Sequence, residues 1–137
     1  MNKHSVQNMM QLMATRINSI ADHISDEEVS HFIQELLNAR RIYVMGAGRS
    51  GLVAKAFAMR LMHLGMISYV VGETITPALQ RGDLIVVLSG SGKTRTIMEI
   101  VQTAKEIGGR ISLITSNSES PIGKIADTLV IIESVRD

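Results

Sequence analysis

Apolar positions in the first forty residues keep a helical rhythm. Val6, Met9, Met10, Met13, Ile17 and Ile20 fall on one stripe of a 3.6-residue period. A second helix is predicted to start after Ser25. Ser25 and Glu28 have the spacing of a capping box, in which each side chain satisfies the other's free backbone N–H. Val29, Phe32, Ile33, Leu36 and Leu37 then follow the i, i+3, i+4, i+7, i+8 template. These two helices carry polar residues but no nameable chemistry, and they read as scaffold or subunit contact.

From Arg41 the rhythm changes. Short apolar runs occupy residues 42–45, 67–71, 84–88, 111–114 and 129–132, none with clean in/out alternation. That suits strands covered on both faces, as in a parallel sheet. Helical stretches separate them. Leu52, Ala56, Phe57, Met59 and Leu64 populate one, which stops at Gly65. Ile97, Ile100, Val101, Ala104 and Ile107 populate another, which stops at Gly108-Gly109. Ser120-Pro121 reads as an N-cap followed by Pro at the first helical position. Strands alternating with helices predict right-handed crossovers and a doubly wound α/β sandwich.

Composition narrows the classes. A chain of 137 residues is predicted to be a single domain, with a helical pair over 1–40 and an α/β core over 41–137. The 45% hydrophobic fraction supports a core, which must be aliphatic and methionine-rich because aromatics make up 3% and Met numbers nine. Fourteen basic and thirteen acidic residues nearly balance, and Trp is absent. Neither a nucleic-acid footprint nor a basic membrane face is expected. Zero cysteines exclude disulfides, thiolate zinc and a cysteine nucleophile. The stretch MNKHSVQNMMQLMATR has no continuous apolar run, and the longest aliphatic run is residues 84–88, so a soluble cytoplasmic protein is expected. His4, His23, His31 and His63 lack ligand spacing, so no metal is expected.

Two predicted strands end in unusual loops, Gly46-Ala47-Gly48-Arg49-Ser50-Gly51 and Ser89-Gly90-Ser91-Gly92-Lys93-Thr94, each leading into a helix. Glycine lets amides approach an anion, the helix start adds partial positive charge, and hydroxyls donate further bonds. Two such loops in one small sheet point to phosphate. Gly92-Lys93-Thr94 resembles the end of a P-loop. That motif, however, needs Gly five positions earlier, where Val87 stands, so nucleotide hydrolysis is not expected. Gly46-x-Gly48-x-x-Gly51 with Glu73 downstream also matches a dinucleotide fingerprint. The second hydroxyl-rich loop favours one compact phosphate instead, and NAD stays as the weaker alternative.

In combination, the Gly46–Gly51 loop, AFAMRLMHLG, VGETITP, GDLIVVLSGSGKT and IADTLV resemble the sugar isomerase (SIS) domain, nearest the 6-phospho-3-hexuloisomerases. The resemblance runs from about Arg41 to the end. It implies a flavodoxin-like three-layer α/β/α sandwich around a five-stranded parallel sheet, a dimer or tetramer, and no cofactor. The reaction it implies interconverts D-arabino-3-hexulose 6-phosphate and fructose 6-phosphate. Ser50, Ser89, Ser91 and Thr94, with the amides of Gly46, Gly48, Gly90 and Gly92, would then hold the phosphate of a ketohexose. Helix capping is the alternative use of those hydroxyls. Arg49 would pair with phosphate or sugar, or equally with a surface acid, while Lys93 reads as a solvated lysine. Thr74 and Thr76 would line the sugar site. His63 is the candidate catalytic group, reaching a site across a subunit boundary, or else a structural helix-end histidine. The family's glutamate base is expected beyond Asp137, since Glu133 does not match its motif. Lack of the closing helix is expected to leave an apolar face uncovered.

Overall fold

The computed structural model describes residues 5–73 and 76–132. Two helices, α1 (Val6–Ala21) and α2 (Asp26–Asn38), precede β1 (Ile42–Gly46), α3 (Arg49–His63), β2 (Ser68–Val70) and β3 (Leu84–Leu88). Then come α4 (Arg95–Ile107), β4 (Arg110–Thr115), α5 (Pro121–Ile125) and β5 (Thr128–Ile131). All five strands are parallel, in the order β2-β1-β3-β4-β5. The order reverses between β1 and β3, which is where ligands bind in open α/β sheets.

Alternate residues of the strands feed two separate cores. Tyr43, Met45, Ile85 and Val87 meet Ile97, Val101 and Ala104 of α4 and Ile122 of α5. Ile42, Val44, Leu84 and Val86 meet Ala54, Ala58 and Leu61 of α3, with Phe32 and Leu36 of α2 packed alongside. Both faces are therefore apolar, which is why the strands show no polar alternation in sequence. The outcome is the expected three-layer sandwich, with the helical pair in front of it.

Local signals account for most boundaries. The Ser120 hydroxyl accepts from the Gly123 amide at 3.0 Å, and Pro121 opens α5. Gly108 ends α4 at φ 101°, a left-handed conformation that glycine adopts without penalty. The capping box is realised by half. Ser25 Oγ accepts from Glu28 N at 3.1 Å, but the Glu28 carboxylate reaches across to accept from Ile131 N at 3.0 Å on the edge strand β5.

Two features depart from the sequence pattern. The α1 stripe is not buried against the chain: Val6, Met9, Met10, Met13 and Ile17 are all exposed, and α1 buries no residue. The crossover from β2 to β3 runs through residues 71–83 with no helix among its described residues. An apolar groove of about 370 Å3, lined by Tyr43, Val71, Leu79, Ile85, Ile100 and Ile107, lies open there. Among the described residues this apolar face belongs to the helix-free crossover and not to the segment after β5.

The crossover is stapled down instead by polar groups. Arg41 donates to fully buried Asp83 through Nε (3.1 Å) and Nη2 (2.7 Å), and Gln80 N adds a third bond to the same carboxylate at 2.7 Å. Burial alone raises the Asp83 pKa. The Arg41 and Gln80 hydrogen bonds and the Arg41 charge outweigh it and hold the carboxyl below its ordinary value. The Tyr43 hydroxyl donates to Pro77 O at 3.0 Å, and burial raises its pKa. No described helix is long and apolar enough to cross a membrane.

Candidate functional site

The two glycine-serine loops leave the carboxyl ends of adjacent strands, β1 and β3, whose register pairs Gly46 with Leu88. Each opens a helix of more than three turns, so two positive helix ends converge on the switch point. Between them lies a hollow of about 470 Å3, lined by Ser50, Leu88, Ser89, Gly90, Ile114, Thr115, Ser116 and Ile132, with Arg16 and Ile20 of α1 closing one side. That volume falls in the ~300–1,000 Å3 range of small-molecule sites.

Glycine at 46 and 51 is dictated by packing. A Cβ on Gly46 would stand 2.7 Å from the Ser50 carbonyl carbon and oxygen, and one on Gly51 would stand 2.9 Å from the Gly46 carbonyl oxygen. The strand end and the first turn of α3 can therefore touch, which sets the depth at which Ser50 sits. Gly48 is needed for another reason: at φ 57° and ψ −126° it adopts a conformation essentially closed to other residues.

Hydrogen bonding sorts the hydroxyls into two roles. Gly90 O accepts from Thr115 Oγ1 (3.0 Å), Ser116 Oγ (2.7 Å) and Ser116 N (3.1 Å), so the last residue of β4 and the one after it spend these donors on fixing the β3 loop. Asn117 Nδ2 adds a bond to Ser91 O at 3.3 Å. In a trans peptide, fixing the Gly90 carbonyl turns the Ser91 N–H the opposite way. Ser89 Oγ accepts from Gly92 N at 3.0 Å and keeps its own proton for another partner. Ser91 Oγ likewise accepts from Lys93 N at 3.2 Å. Thr94 is the N-cap of α4 but its side chain makes no capping bond, and Gly48, not Ser50, caps α3. Capping therefore accounts for neither Ser50 nor Thr94. The amides of Gly48, Gly90 and Ser91 meet no acceptor among the described residues.

Of the candidates, Ser50, Ser89 and Gly90 line one hollow. Gly46 and Gly48 shape its β1 side, and Ser91, Gly92 and Thr94 lie just beyond in the β3 loop. Gly92 is buried at φ 66°, and a Cβ there would collide with Ser120 at the head of α5. Arg49 and Lys93 are exposed and do not line the hollow. His63 is not brought near it. It ends α3, about 20 Å along the axis from the loop at ~1.5 Å per residue, and is exposed. Within one chain it stands in the last turn of its helix, so any role at the hollow would have to be reached across a subunit boundary. Thr76 donates to Val70 O at 3.0 Å and borders the apolar groove instead. His4, Thr74 and Glu133 lie outside the described residues. Sequence reasoning missed Arg16, Thr115 and Ser116. A third hydroxyl-rich stretch, Thr115-Ser116-Asn117-Ser118, was the visible signal for the last two.

The strand order is the flavodoxin-like one, not the six-stranded order of dinucleotide folds, and donors from both loops, Ser50 and Ser89, meet at one compact hollow. Residues 35–137 match the SIS domain, and the chain belongs to that family. Two relatives are 3-hexulose-6-phosphate isomerases. That of Bacillus subtilis is 44% identical over 83% of this chain and 62% of its own length. That of Mycobacterium gastri is 40% identical over 96% and 66% respectively. A Methanococcus jannaschii protein, whose crystal structure infers a function of 3-hexulose-6-phosphate isomerase, superposes with TM-score 0.77 at 36% identity, covering 81% of this chain and 62% of that one. The chain thus spans about three-fifths to two-thirds of the relatives' length.

Proposed function

We propose that the hollow at the β1/β3 switch point binds the phosphate end of a ketohexose phosphate, and that the chain serves an isomerase interconverting D-arabino-3-hexulose 6-phosphate and fructose 6-phosphate. One observation carries the reading: Ser50 and Ser89, from loops on adjacent strands, face one hollow with hydroxyls not consumed by the fold. The relatives at 40–44% identity support the choice of substrate. The reaction is an internal redox exchange. A base removes the proton on C2 of the 3-hexulose while the C3 carbonyl oxygen gains negative charge, giving a 2,3-enediolate. A proton then returns to C3 as the carbonyl forms at C2. Nothing is lost or gained, and no cofactor is needed.

The chain's own part is to anchor the phosphate and orient the sugar, which converts proton transfer into an intramolecular event. None of the described residues lining the hollow is a carboxylate or an imidazole. The base of this proposed reaction therefore comes from outside this set of described residues. The exposed apolar stripe of α1 supports self-association as a dimer or tetramer, and a cytoplasmic location fits a cysteine-free chain of this class.

A second reading, a sugar-phosphate-binding module without turnover, is favoured by that same lack of a base. Isothermal titration with fructose 6-phosphate and with NAD, alongside an isomerase assay of this chain and of any longer product of its reading frame, separates the two. Binding of the sugar phosphate with turnover by either form supports the isomerase. Binding without turnover by either supports the module. NAD binding in place of fructose 6-phosphate sinks both. The Ser89→Ala, Ser91→Ala pair is expected to weaken sugar-phosphate binding at least tenfold, and unchanged affinity would reduce these serines to loop formers.

A further inference from the structure

The phosphate cradle is built from neutral donors, yet its proposed ligand carries nearly two negative charges at pH 7. The two cations next to the loops in sequence, Arg49 and Lys93, are exposed and absent from the walls. Among the ten described residues lining the hollow, one carries an ionisable side chain: Arg16, about one and a half turns before the end of α1. Around it the wall is Ile20, Leu88, Ile114 and Ile132 on one hand and Ser50, Ser89, Thr115 and Ser116 on the other.

We propose that Arg16 is the ionic partner of the bound sugar phosphate, and that ligand binding draws α1 onto the carboxyl edge of the sheet. The inference rests on the phosphate reading of the hollow and adds to it a charge supplied from outside the α/β core. A guanidinium suits this role, because its planar fork meets two oxygens of a phosphate at once and it stays charged at any physiological pH. Because Arg16 is exposed, salt screens the pair, which makes ionic strength a probe of it. Helix α1 is lightly held within its own chain. It buries no residue, whereas α3, α4 and α5 each bury two or three against the sheet. A ligand held by Ser50 and Ser89 below and Arg16 above ties a loosely seated helix to a rigid floor.

The test uses the full chain with Arg16→Gln and Arg16→Lys, and fructose 6-phosphate and inorganic phosphate as probes in titration calorimetry at two salt concentrations. Arg16 is exposed, so both variants are expected to keep the wild-type circular dichroism and to stay within about 0.5 kcal/mol of wild-type stability in urea. Arg16→Gln is expected to weaken fructose 6-phosphate at least tenfold and to flatten the salt dependence, while Arg16→Lys recovers part of the loss. Hydrogen exchange is the second readout: fructose 6-phosphate should slow the amides of residues 12–20 in wild type but not in Arg16→Gln. If Arg16→Gln binds as wild type does while Ser89→Ala, Ser91→Ala loses binding, the inference falls and the cradle stands. If wild type binds neither probe, both fall.

Discussion

Substitution of Gly46 by Ala tests whether the depth of the cradle is set by one strand-helix contact. The new Cβ would lie 2.7 Å from the backbone carbon and oxygen of Ser50, where about 3.5 Å is the comfortable separation. The obstacle is backbone, so no rotamer change relieves it. The first turn of α3 must retreat by about 0.8 Å. Forced overpacking of this kind costs about 1–3 kcal/mol. At a urea slope of about 2 kcal/mol/M this lowers the unfolding midpoint by roughly 0.5–1.5 M. The Ser50 hydroxyl retreats with its helix. A hydrogen bond of about 2.8 Å stretched by that amount is effectively broken, and losing one bond to a charged acceptor costs roughly 1.5–3 kcal/mol, or ten- to hundredfold in affinity. Gly90→Ala is the control, since its Cβ would meet nothing within 4 Å and its φ is not positive. It should unfold within about 0.5 kcal/mol of wild type. Urea melts and calorimetry with fructose 6-phosphate measure both quantities. Gly46→Ala with wild-type stability and affinity, or Gly90→Ala equally damaged in stability, would refute the reasoning from Cβ contacts.

Two further outcomes follow from contacts elsewhere. The Asp83 carboxyl is held below its ordinary pKa, so the stability it contributes is complete above the unfolded value near 4 and is lost as pH falls through the lower folded value. Urea melts from pH 5 downward should show Asp83→Asn losing less stability over that window than wild type, and parallel curves would contradict this. Glu28→Ala removes the acceptor of the Ile131 amide and should cost about 1 kcal/mol, with faster hydrogen exchange at Ile131 as its signature. Unchanged exchange there would show the bond to be inconsequential.

The fold was legible because its signals are local. Gly108 can end α4, Ser120-Pro121 can open α5, and apolar runs too short for helices mark the strands, all without reference to distant residues. The loop half of the site was legible for the same reason, since glycine spacing and hydroxyl content are properties of a dozen adjacent residues. Arg16 was not. Its position depends on how α1 lies across the sheet ends, a tertiary relation that no periodicity encodes, and its stripe of methionines gave no hint because the stripe faces away from the core. The distance of His63 from the hollow of its own chain was legible in the sequence. A helix opening at the loop and stopping at Gly65 carries its last residue to the far end of the sheet. Thr115 and Ser116 needed the sheet order, which sets β4 beside β3.

The Glu28 carboxylate on the Ile131 amide has a consequence for how copies of the chain can meet. One rim of the sheet is a strand of three residues, and at the other a donor that would greet an incoming strand is already answered by a side chain from α2. Growth by templating, strand upon strand, is the route by which open sheets run on into fibrils, and here both rims discourage it. The self-association proposed above is then left to the flanks of helices, above all the methionine-bearing side of α1. Such a surface is used up once it is matched, so assembly through it would stop at a fixed number of partners.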